Sequence, residues 1–388
     1  MEKSSKQLLL PLEHDHPGSK GACASYYDSS DDSSDCLPPL GPFSATNRQS
    51  PGDLDSFIDS RKDGEDWVAF YNPREPRSLN VSLVFQVDHN DDFPWVRFSK
   101  DGLWLATGCG DDAKIFDVRT GTLRCTLTPG TTSLWVACFS PDGKYLATAV
   151  GNGLIQVNSS LSIYGSLTGG LGCWDTDIPT TLPSQIWDIA RENVRYTFES
   201  HQDDVNSLDF SHDGSFIVSR SDDKTVRIWN MNTRESQVLP IADDSGDAGV
   251  TCVAVSPDDH LVAATFNRDV HIWDVETGTL IDSLRGHDNR VYSVAFTPDG
   301  KGLVSCSGDK TLKYWEFSTA TGRQFSKCMQ VFTGHRDEVN SVAVSHDGQW
   351  IVSGSDDCGV QFWDRHGRTH LMLLGHYDSG TRLCLQVF

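Results

Sequence analysis

The sequence predicts an all-β fold, a seven-bladed β-propeller with an incomplete closing blade. One observation behind this is a set of four side chains that recurs three times, with serine 18, aspartate 22 and tryptophan 28 residues after histidine. Repeats of this length, beginning near Gly-His and ending near Trp-Asp, are typical of four-stranded propeller blades. The three sets are His201, Ser219, Asp223 and Trp229; His287, Ser305, Asp309 and Trp315; and His335, Ser353, Asp357 and Trp363.

The second observation is a strand that runs into a tight turn and recurs six times. Most of the turns contain Asp-Gly, which reverses the chain between antiparallel strands. A second strand follows each turn, a third ends in a motif such as IWDV or FWDR, and the fourth is shorter and more polar. The six copies are VRFSKDG (96–102), ACFSPDG (137–143), LDFSHDG (208–214), VAVSPDD (253–259), VAFTPDG (294–300) and VAVSHDG (342–348).

A seventh repeat opens at Gly375-His376 and supplies one strand at most. Residues 67–87, ahead of the first repeat, are expected to supply another strand of that blade. Many propellers close in this way, because completing the last blade with an N-terminal strand leaves no exposed sheet edge. We therefore assign residues 64–388 to the propeller.

Residues 1–63 are predicted to be a disordered acidic tail. They are rich in Ser, Asp, Pro and Gly and poor in branched apolar side chains. Such a segment cannot bury enough apolar surface to offset the entropy lost on ordering.

Charge and cysteine usage narrow the function classes. The 388 residues carry a formal net charge of −22, which disfavours direct binding to nucleic acid and favours basic partners. The 11 cysteines form no C-x-x-C pair and no metal-ligand spacing with histidine. We therefore expect free thiols in a reducing compartment, no metal and no cofactor. No apolar run approaches the roughly 20 residues of a membrane span, and no secretory cleavage pattern is present.

One interval breaks the period of the repeats. The second and third copies begin 71 residues apart, and residues 151–185 account for the excess. On the expected pattern the second strand of this blade is YLATA and its third strand is IWDI (186–189). The insertion can be a binding loop on one face of the propeller, or translated intron sequence that is foreign to the repeat.

Serine, histidine and aspartate at fixed spacing also resemble the triad of a hydrolase. Three equivalent sets would require three active sites in one chain. A structural network explains them better, because the indole N–H, hydroxyl, imidazole and carboxylate can pass hydrogen bonds from strand to turn within a blade. No Gly-x-Ser-x-Gly elbow or phosphate loop offers another catalytic centre. The sequence therefore predicts a protein that is not an enzyme.

The binding hypothesis rests on positions that vary while their surroundings repeat. In the first strand of each blade, the residue x of the pattern V-x-S-V is expected at the rim where the Gly-His loop enters. Large aromatic residues at a rim are typical interface anchors. These predicted partner-binding residues are Pro94, Trp135, Asn206, Thr251, Tyr292 and Asn340.

Several longer segments resemble one family of WD40-repeat proteins. They are FYNPREPRSLNVSL and VDH, VRFSKDGLWLATGC, CFSPDGKYLATA, DDVNSLDF, GHDNRVYSVAFTPDG and FWDRHGRTHLMLLGH. Over residues 65–376 the chain is similar to the C-terminal propeller of the fungal Tup1-type general transcriptional corepressors. The Tyr-Asn-Pro lead-in and the ATGC segment are its most particular features.

This resemblance implies a nuclear protein that is recruited by DNA-binding repressor proteins and engages histone tails and histone deacetylases. In the family, the rim positions, Tyr292 most directly, match the docking surface. The family also carries an N-terminal helical region that forms a tetramer and binds a TPR-repeat corepressor. Residues 1–63 contain no heptad or Gln-rich segment. The chain is therefore expected to be a truncated member or the product of an incorrect gene prediction.

Two other functions fit a propeller of this kind. One is the substrate receptor of a cullin-type ubiquitin ligase, which often carries Trp-Asp-x-Arg after a third strand. The nearest match here is the segment Phe116 to Arg119, which lacks the tryptophan. The other is a cytoplasmic signalling scaffold.

Overall fold

Strands and tight turns make up the part of the chain that the computed structural model describes. Within that part every regular element is a β-strand. The described residues are 61–63, 68–81, 95–109, 112–127, 134–150, 154–158, 186–188, 193–198, 200–240, 252–318 and 325–374.

The described part of the chain begins with two short strands and then forms six blades, each an antiparallel sheet. The entry strands are β1 (Arg61–Asp63) and β2 (Val68–Tyr71). The first blade is β3 (Val96–Phe98), β4 (Trp104–Cys109), β5 (Asp112–Asp117) and β6 (Leu123–Leu127). The second is β7 (Leu134–Phe139), β8 (Leu146–Val150), β9 (Leu154–Asn158), β10 (Ile186–Asp188) and β11 (Asn193–Phe198). The third is β12 (Val205–Phe210), β13 (Phe216–Ser221), β14 (Val226–Asn230) and β15 (Ser236–Leu239).

The remaining three blades complete the described chain. The fourth is β16 (Val253–Val255), β17 (Leu261–Phe266), β18 (Asp269–Asp274) and β19 (Leu280–Leu284). The fifth is β20 (Val291–Phe296), β21 (Gly302–Ser307), β22 (Thr311–Ser318) and β23 (Phe325–Thr333). The sixth is β24 (Val339–Val344), β25 (Trp350–Ser355), β26 (Gly359–Asp364) and β27 (Thr369–Leu374), extended by β2 and β1.

The tight turn after the first strand is the same in all six blades. In each, a Ser or Thr hydroxyl donates a hydrogen bond to the Asp carboxylate two residues later, at 2.6–2.8 Å. The residue after that Asp has a positive φ of 61–74°, which glycine adopts without strain. The fourth blade places Asp259 there instead. Its carboxylate accepts the backbone N–H groups of His212 and Asp213, so it links the third and fourth blades.

The number of blades differs from the prediction. The described residues form six sheets, so the expected count of seven was wrong for this part of the chain. Residues 68–71, expected to help build a seventh blade, pair instead with β27. The outer edge of the sixth sheet offers them unpaired N–H and C=O groups. Gly375-His376 lies outside the described residues. At the N-terminal side, Arg61–Asp63 form a strand, three residues before the predicted start of the propeller at residue 64.

The third strand of the second blade also differs from the expectation. Residues 154–158, inside the predicted insertion, pair with β8 and take the third place in the sheet. IWD (186–188) becomes the outermost strand and pairs with β11. A hairpin that closes over three residues loses less entropy than one that closes over the whole insertion, and this explains the choice. The rest of the insertion lies outside the described residues.

Apolar cores lie between neighbouring blades. Between the third and fourth blades, for example, Ile228 and Leu239 of one blade pack with Val255 and Trp273 of the next. A hydrogen bond also joins the same blades: the side-chain hydroxyl of Ser207 accepts the backbone N–H of Val253 at 3.0 Å. These contacts hold the inner strands at fixed positions relative to one another, and the strands in turn position the loops at their ends.

Candidate functional site

Four side chains form one hydrogen-bonded chain in the third blade. The indole N–H of Trp229 donates to Ser219 Oγ at 2.7 Å. Ser219 Oγ lies 2.6 Å from His201 Nε2, and His201 Nδ1 lies 2.8 Å from Asp223 Oδ2. Because the serine accepts from the indole and the aspartate needs a donor, the hydroxyl donates to Nε2 and the imidazole proton sits on Nδ1.

The same arrangement recurs in two further blades. All of the corresponding distances there lie between 2.7 and 2.9 Å. The sets are His287, Ser305, Asp309 and Trp315 in the fifth blade, and His335, Ser353, Asp357 and Trp363 in the sixth. The structure thus brings together the four members of each predicted set.

The geometry resembles a catalytic triad, but the environment does not suit catalysis. Ser219 is fully buried, and its oxygen already accepts the indole N–H. Burial lowers the pKa of His201 below its usual value, although Asp223 opposes this shift. Burial would raise the pKa of Asp223, but hydrogen bonds from His201 and Thr225 lower it well below its usual range. The imidazole is therefore neutral, the carboxylate is ionised, and the buried serine is closed to a substrate. The network's role is to hold the strands of the blade together.

Sequence reasoning missed one further link in these blades. The serine two residues after each buried serine donates its hydroxyl to a backbone carbonyl in the Gly-His loop, at 2.8–3.1 Å. The signal was present as a constant offset from the buried serine. These residues are Ser221, Ser307 and Ser355.

The fourth blade holds its tryptophan in another way. Ala264 takes the place that Ser219 has in the third blade: Ala264 pairs with His271 as Ser219 pairs with Arg227. The fourth blade therefore has no serine hydroxyl at this position. The indole N–H of Trp273 donates instead to the carbonyl of Pro240 at 2.9 Å. The side chain stays buried with its polar atom satisfied, as the third, fifth and sixth blades achieve with serine.

The predicted rim positions coincide with irregularities in the inner strands. The registers of β7, β12, β20 and β24 shift across Trp135, Asn206, Tyr292 and Asn340, respectively. A bulge leaves one residue outside the ladder and redirects its side chain. Four of the six predicted positions therefore share a backbone feature that the sequence did not indicate. Pro94, Thr251 and the side chain of Trp135 lie outside the described part of the chain.

Two of the bulged residues are asparagines that bind a carboxylate of their own blade. Asn206 Nδ2 donates to Asp222 Oδ1 at 2.6 Å, and Asn340 Nδ2 donates to Asp356 Oδ1. Each of these aspartates directly precedes the aspartate of the buried network. The rim contact and the buried network therefore share one turn in each blade.

Tyr292 makes a contact between blades instead. Its hydroxyl donates to Glu338 Oε2, in the loop that leads into the sixth blade, at 2.6 Å. The aspartate seen in the third and sixth blades is replaced by Gly308, where a Cβ atom would lie 2.9 Å from Asn289 Nδ2 and 3.1 Å from Glu338 Oε1. Tyr292 is half-buried.

The rim is acidic. Burial raises the pKa of Asp222, and the nearby carboxylates of Asp203 and Asp204 raise it further. Burial likewise raises the pKa of Asp356, with additional repulsion from Glu338. Repulsion among neighbouring carboxylates would be relieved by a cationic partner.

The described residues offer neither a membrane-spanning helix nor a metal site. No helix there is long and apolar enough to span a bilayer. No group of three or more His, Cys, Asp or Glu side chains there is placed to hold a metal ion.

Comparison with known proteins places the fold among the WD repeats. The profile described as WD domain, G-beta repeat matches residues 121–157, 192–230, 240–274, 278–316 and 326–364. The matched segments include the inner strands of the second to sixth blades and leave those of the first blade unmatched.

Three curated relatives illustrate the range of proteins that carry similar repeats. The transcriptional repressor rco-1 of Neurospora crassa is 43% identical over 330 residues, covering 70% of this chain and 50% of the relative. The guanine nucleotide-binding protein subunit beta of Zea mays is 30% identical over 61% of this chain and 63% of its own length. The nuclear distribution protein PAC1 of Coccidioides posadasii is 33% identical over 38% of this chain and 34% of its own. The matched part of this chain thus spans between about a third and two thirds of the length of these relatives.

Proposed function

Because this chain is an all-β WD40-repeat propeller, we propose that it is a non-enzymatic interaction platform of the transcriptional corepressor type. DNA-binding repressor proteins recruit it to chromatin, and it works in the nucleus. The observation that carries this proposal is the 43% identity to the repressor rco-1 over 330 residues. WD40 repeats by themselves indicate only protein–protein interaction.

The docking site that we propose is the rim at the Gly-His loops. Asn206, Tyr292 and Asn340 lie at bulges of three inner strands, and the sequence repeat aligns Pro94, Trp135 and Thr251 with them. A bulge leaves one residue outside the ladder and redirects its side chain. Tyr292 offers a half-buried aromatic side chain whose hydroxyl is held by Glu338, the combination expected of an anchor.

Histone tails and histone deacetylases complete the proposed set of partners. The chain is strongly acidic, and several carboxylates surround the rim asparagines. Lysine-rich tails would gain from this field, and their association would weaken as salt rises. A TPR-repeat corepressor partner is the least supported member of the set, because it rests on the family resemblance alone.

The test is capture of partners from nuclear extract by the wild-type chain and by Tyr292→Ala. We expect the wild type to retain sequence-specific repressors and deacetylases. Tyr292→Ala should retain less repressor, because loss of a hot-spot aromatic weakens the binding free energy by about 2 kcal/mol. Leu103→Ala is the matched control. Leu103 is exposed and follows an inner strand, so it lies at the opposite end of its blade.

The identity of the captured proteins decides between functions. Recovery of a cullin adaptor would favour a ubiquitin-ligase receptor, and recovery of kinases without repressors would favour a cytoplasmic scaffold. Either outcome would contradict the corepressor proposal. Equal repressor capture by wild type and Tyr292→Ala would show that docking occurs elsewhere.

A further inference from the structure

The rim of the fifth blade departs from those of the third and sixth at one pair of positions. In the third and sixth blades, the asparagine at the inner-strand bulge donates to an aspartate 16 residues later, as Asn206 does to Asp222 at 2.6 Å. The fifth blade has Tyr292 and Gly308 at these two positions. The backbone setting is the same. The N–H of Gly308 donates to the carbonyl of Arg290 at 2.9 Å, and the N–H of Asp222 donates to the same loop position of its own blade at 2.8 Å.

A carboxylate from the next blade uses the room that the glycine leaves. Gly308 is buried, and a Cβ atom there would lie 3.1 Å from Glu338 Oε1 and 2.9 Å from Asn289 Nδ2. The other oxygen of the same carboxylate, Glu338 Oε2, accepts the hydroxyl of Tyr292 at 2.6 Å. Glu338 therefore contacts the glycine position with one oxygen and holds the tyrosine with the other.

Glu338 reaches Tyr292 across the boundary between two blades. It belongs to the loop that leads into the sixth blade, and a second contact holds this loop against the fifth. Lys310 Nζ donates to the carbonyl of Arg336 at 2.8 Å and lies 3.4 Å from the carboxylate of Asp337. The fifth blade thus replaces an asparagine–aspartate contact within one blade by a tyrosine–glutamate contact between two.

An aspartate at position 308 would conflict with this contact. The third and sixth blades carry Asp222 and Asp356 at the equivalent position, so the local backbone accepts an aspartate. In the fifth blade, its carboxylate would meet that of Glu338, and two ionised carboxylates at such a short separation repel each other. Displacement of Glu338 would release the hydroxyl of Tyr292.

We infer that Gly308 is a positioning residue for the docking surface: it leaves room for Glu338, which in turn fixes the side chain of Tyr292. The inference rests on the proposed docking of repressors at this rim. It makes the boundary between the fifth and sixth blades, and not an isolated tyrosine, the unit that a repressor recognises.

The first test reads the surroundings of Tyr292 without any partner. In the full chain labelled with fluorotyrosine, the fluorine NMR resonance of Tyr292 is the one that disappears in Tyr292→Phe. We expect Gly308→Asp and Glu338→Ala to move this resonance in the same direction, because both release the hydroxyl. Asp222→Gly, at the equivalent position of the third blade, is the matched control and should leave it in place. An unchanged resonance in Gly308→Asp would overturn the inference.

The second test asks whether Gly308 acts through Tyr292. When capture of repressors from nuclear extract is measured over a dilution series, Gly308→Asp should weaken it about tenfold, as for loss of one hydrogen bond to a charged group. In a Tyr292→Ala background, the same substitution should weaken capture by less than about twofold, because the anchor is already absent. A tenfold loss in both backgrounds would overturn the inference. If the wild type captures no repressor but the resonance moves as expected, the corepressor proposal fails and the positioning of Tyr292 by Gly308 stands.

Discussion

Removal of one carboxylate from a buried network should destabilise the propeller without affecting any chemistry. Asp309 accepts four hydrogen bonds in the fifth blade. Its Oδ2 accepts from His287 Nδ1 at 2.8 Å and from the N–H of Asp288 at 3.0 Å. Its Oδ1 accepts from the N–H and the hydroxyl of Thr311 at 3.0 and 2.6 Å. Asp309→Ala removes all four acceptors at once.

The magnitude follows from which donors can reach water. The imidazole of His287 is buried, and an unsatisfied buried N–H costs about 1–3 kcal/mol. Asp288 is exposed, so water can replace its lost hydrogen bond and the loss there is smaller. We expect a total loss of about 3 kcal/mol in the free energy of unfolding. At roughly 2 °C per kcal/mol for a domain of this size, the melting temperature should fall by about 6 °C.

The assay is thermal and denaturant unfolding of the wild type, Asp309→Ala and Asp288→Ala. The last variant removes the same charge from the neighbouring loop, so it corrects for the reduced net charge. A melting temperature that is unchanged in Asp309→Ala would refute the structural role. A loss of partner binding at unchanged stability would show instead that Asp309 belongs to a binding site.

Three other outcomes follow from the structure. Burial lowers the pKa of His201, so the unfolded chain takes up a proton near pH 6.5 that the folded chain does not. The free energy of unfolding should therefore fall as the pH drops below 6.5, by up to about 1.4 kcal/mol per pH unit. His201→Asn should flatten this slope in denaturant unfolding measured at a series of pH values. Gly108→Ala would place Cβ 2.4 Å from Trp95 Nε1, and the displaced indole should cost about 1–3 kcal/mol in denaturant unfolding. Tyr292→Phe keeps the ring and removes the hydroxyl bound to Glu338, so repressor affinity in calorimetry should fall less than for Tyr292→Ala; an equal fall would assign the effect to the hydroxyl.

The repeated networks could be predicted because their residues have few alternatives. Four chemically different side chains at constant offsets in three copies allow few arrangements. In the structure the hydrogen-bonded atoms of these side chains lie 2.6–2.9 Å apart. The tight turns were equally predictable, since an Asp two residues after Ser or Thr, usually followed by Gly, favours both the hydrogen bond and the positive φ. The exception, Asp259, depends on backbone donors of another blade, which no local pattern contains.

The blade count and the third strand of the second blade could not be predicted, because both depend on competition between distant segments. Residues 68–71 have strand character, but which edge they join depends on the edges left free in the folded chain. The sequence predicted IWDI (186–189) as the third strand, but residues 154–158 (LIQVN) take that place. The short hairpin from β8 favours residues 154–158, and IWD then finds an edge beyond β11.

The rim and the buried networks are linked through adjacent residues. Asp222, which holds Asn206 at the rim, directly precedes Asp223, which holds His201 in the core. The sixth blade repeats this pairing with Asp356 and Asp357. One tight turn therefore sets both the stability of the blade and the direction of its rim side chain. A substitution in the turn should change both properties together. Tyr292 lies at the rim, where its hydroxyl donates to Glu338, so a substitution there should affect binding more than stability. Measuring stability and binding on the same variants separates a recognition residue from a structural one on this face.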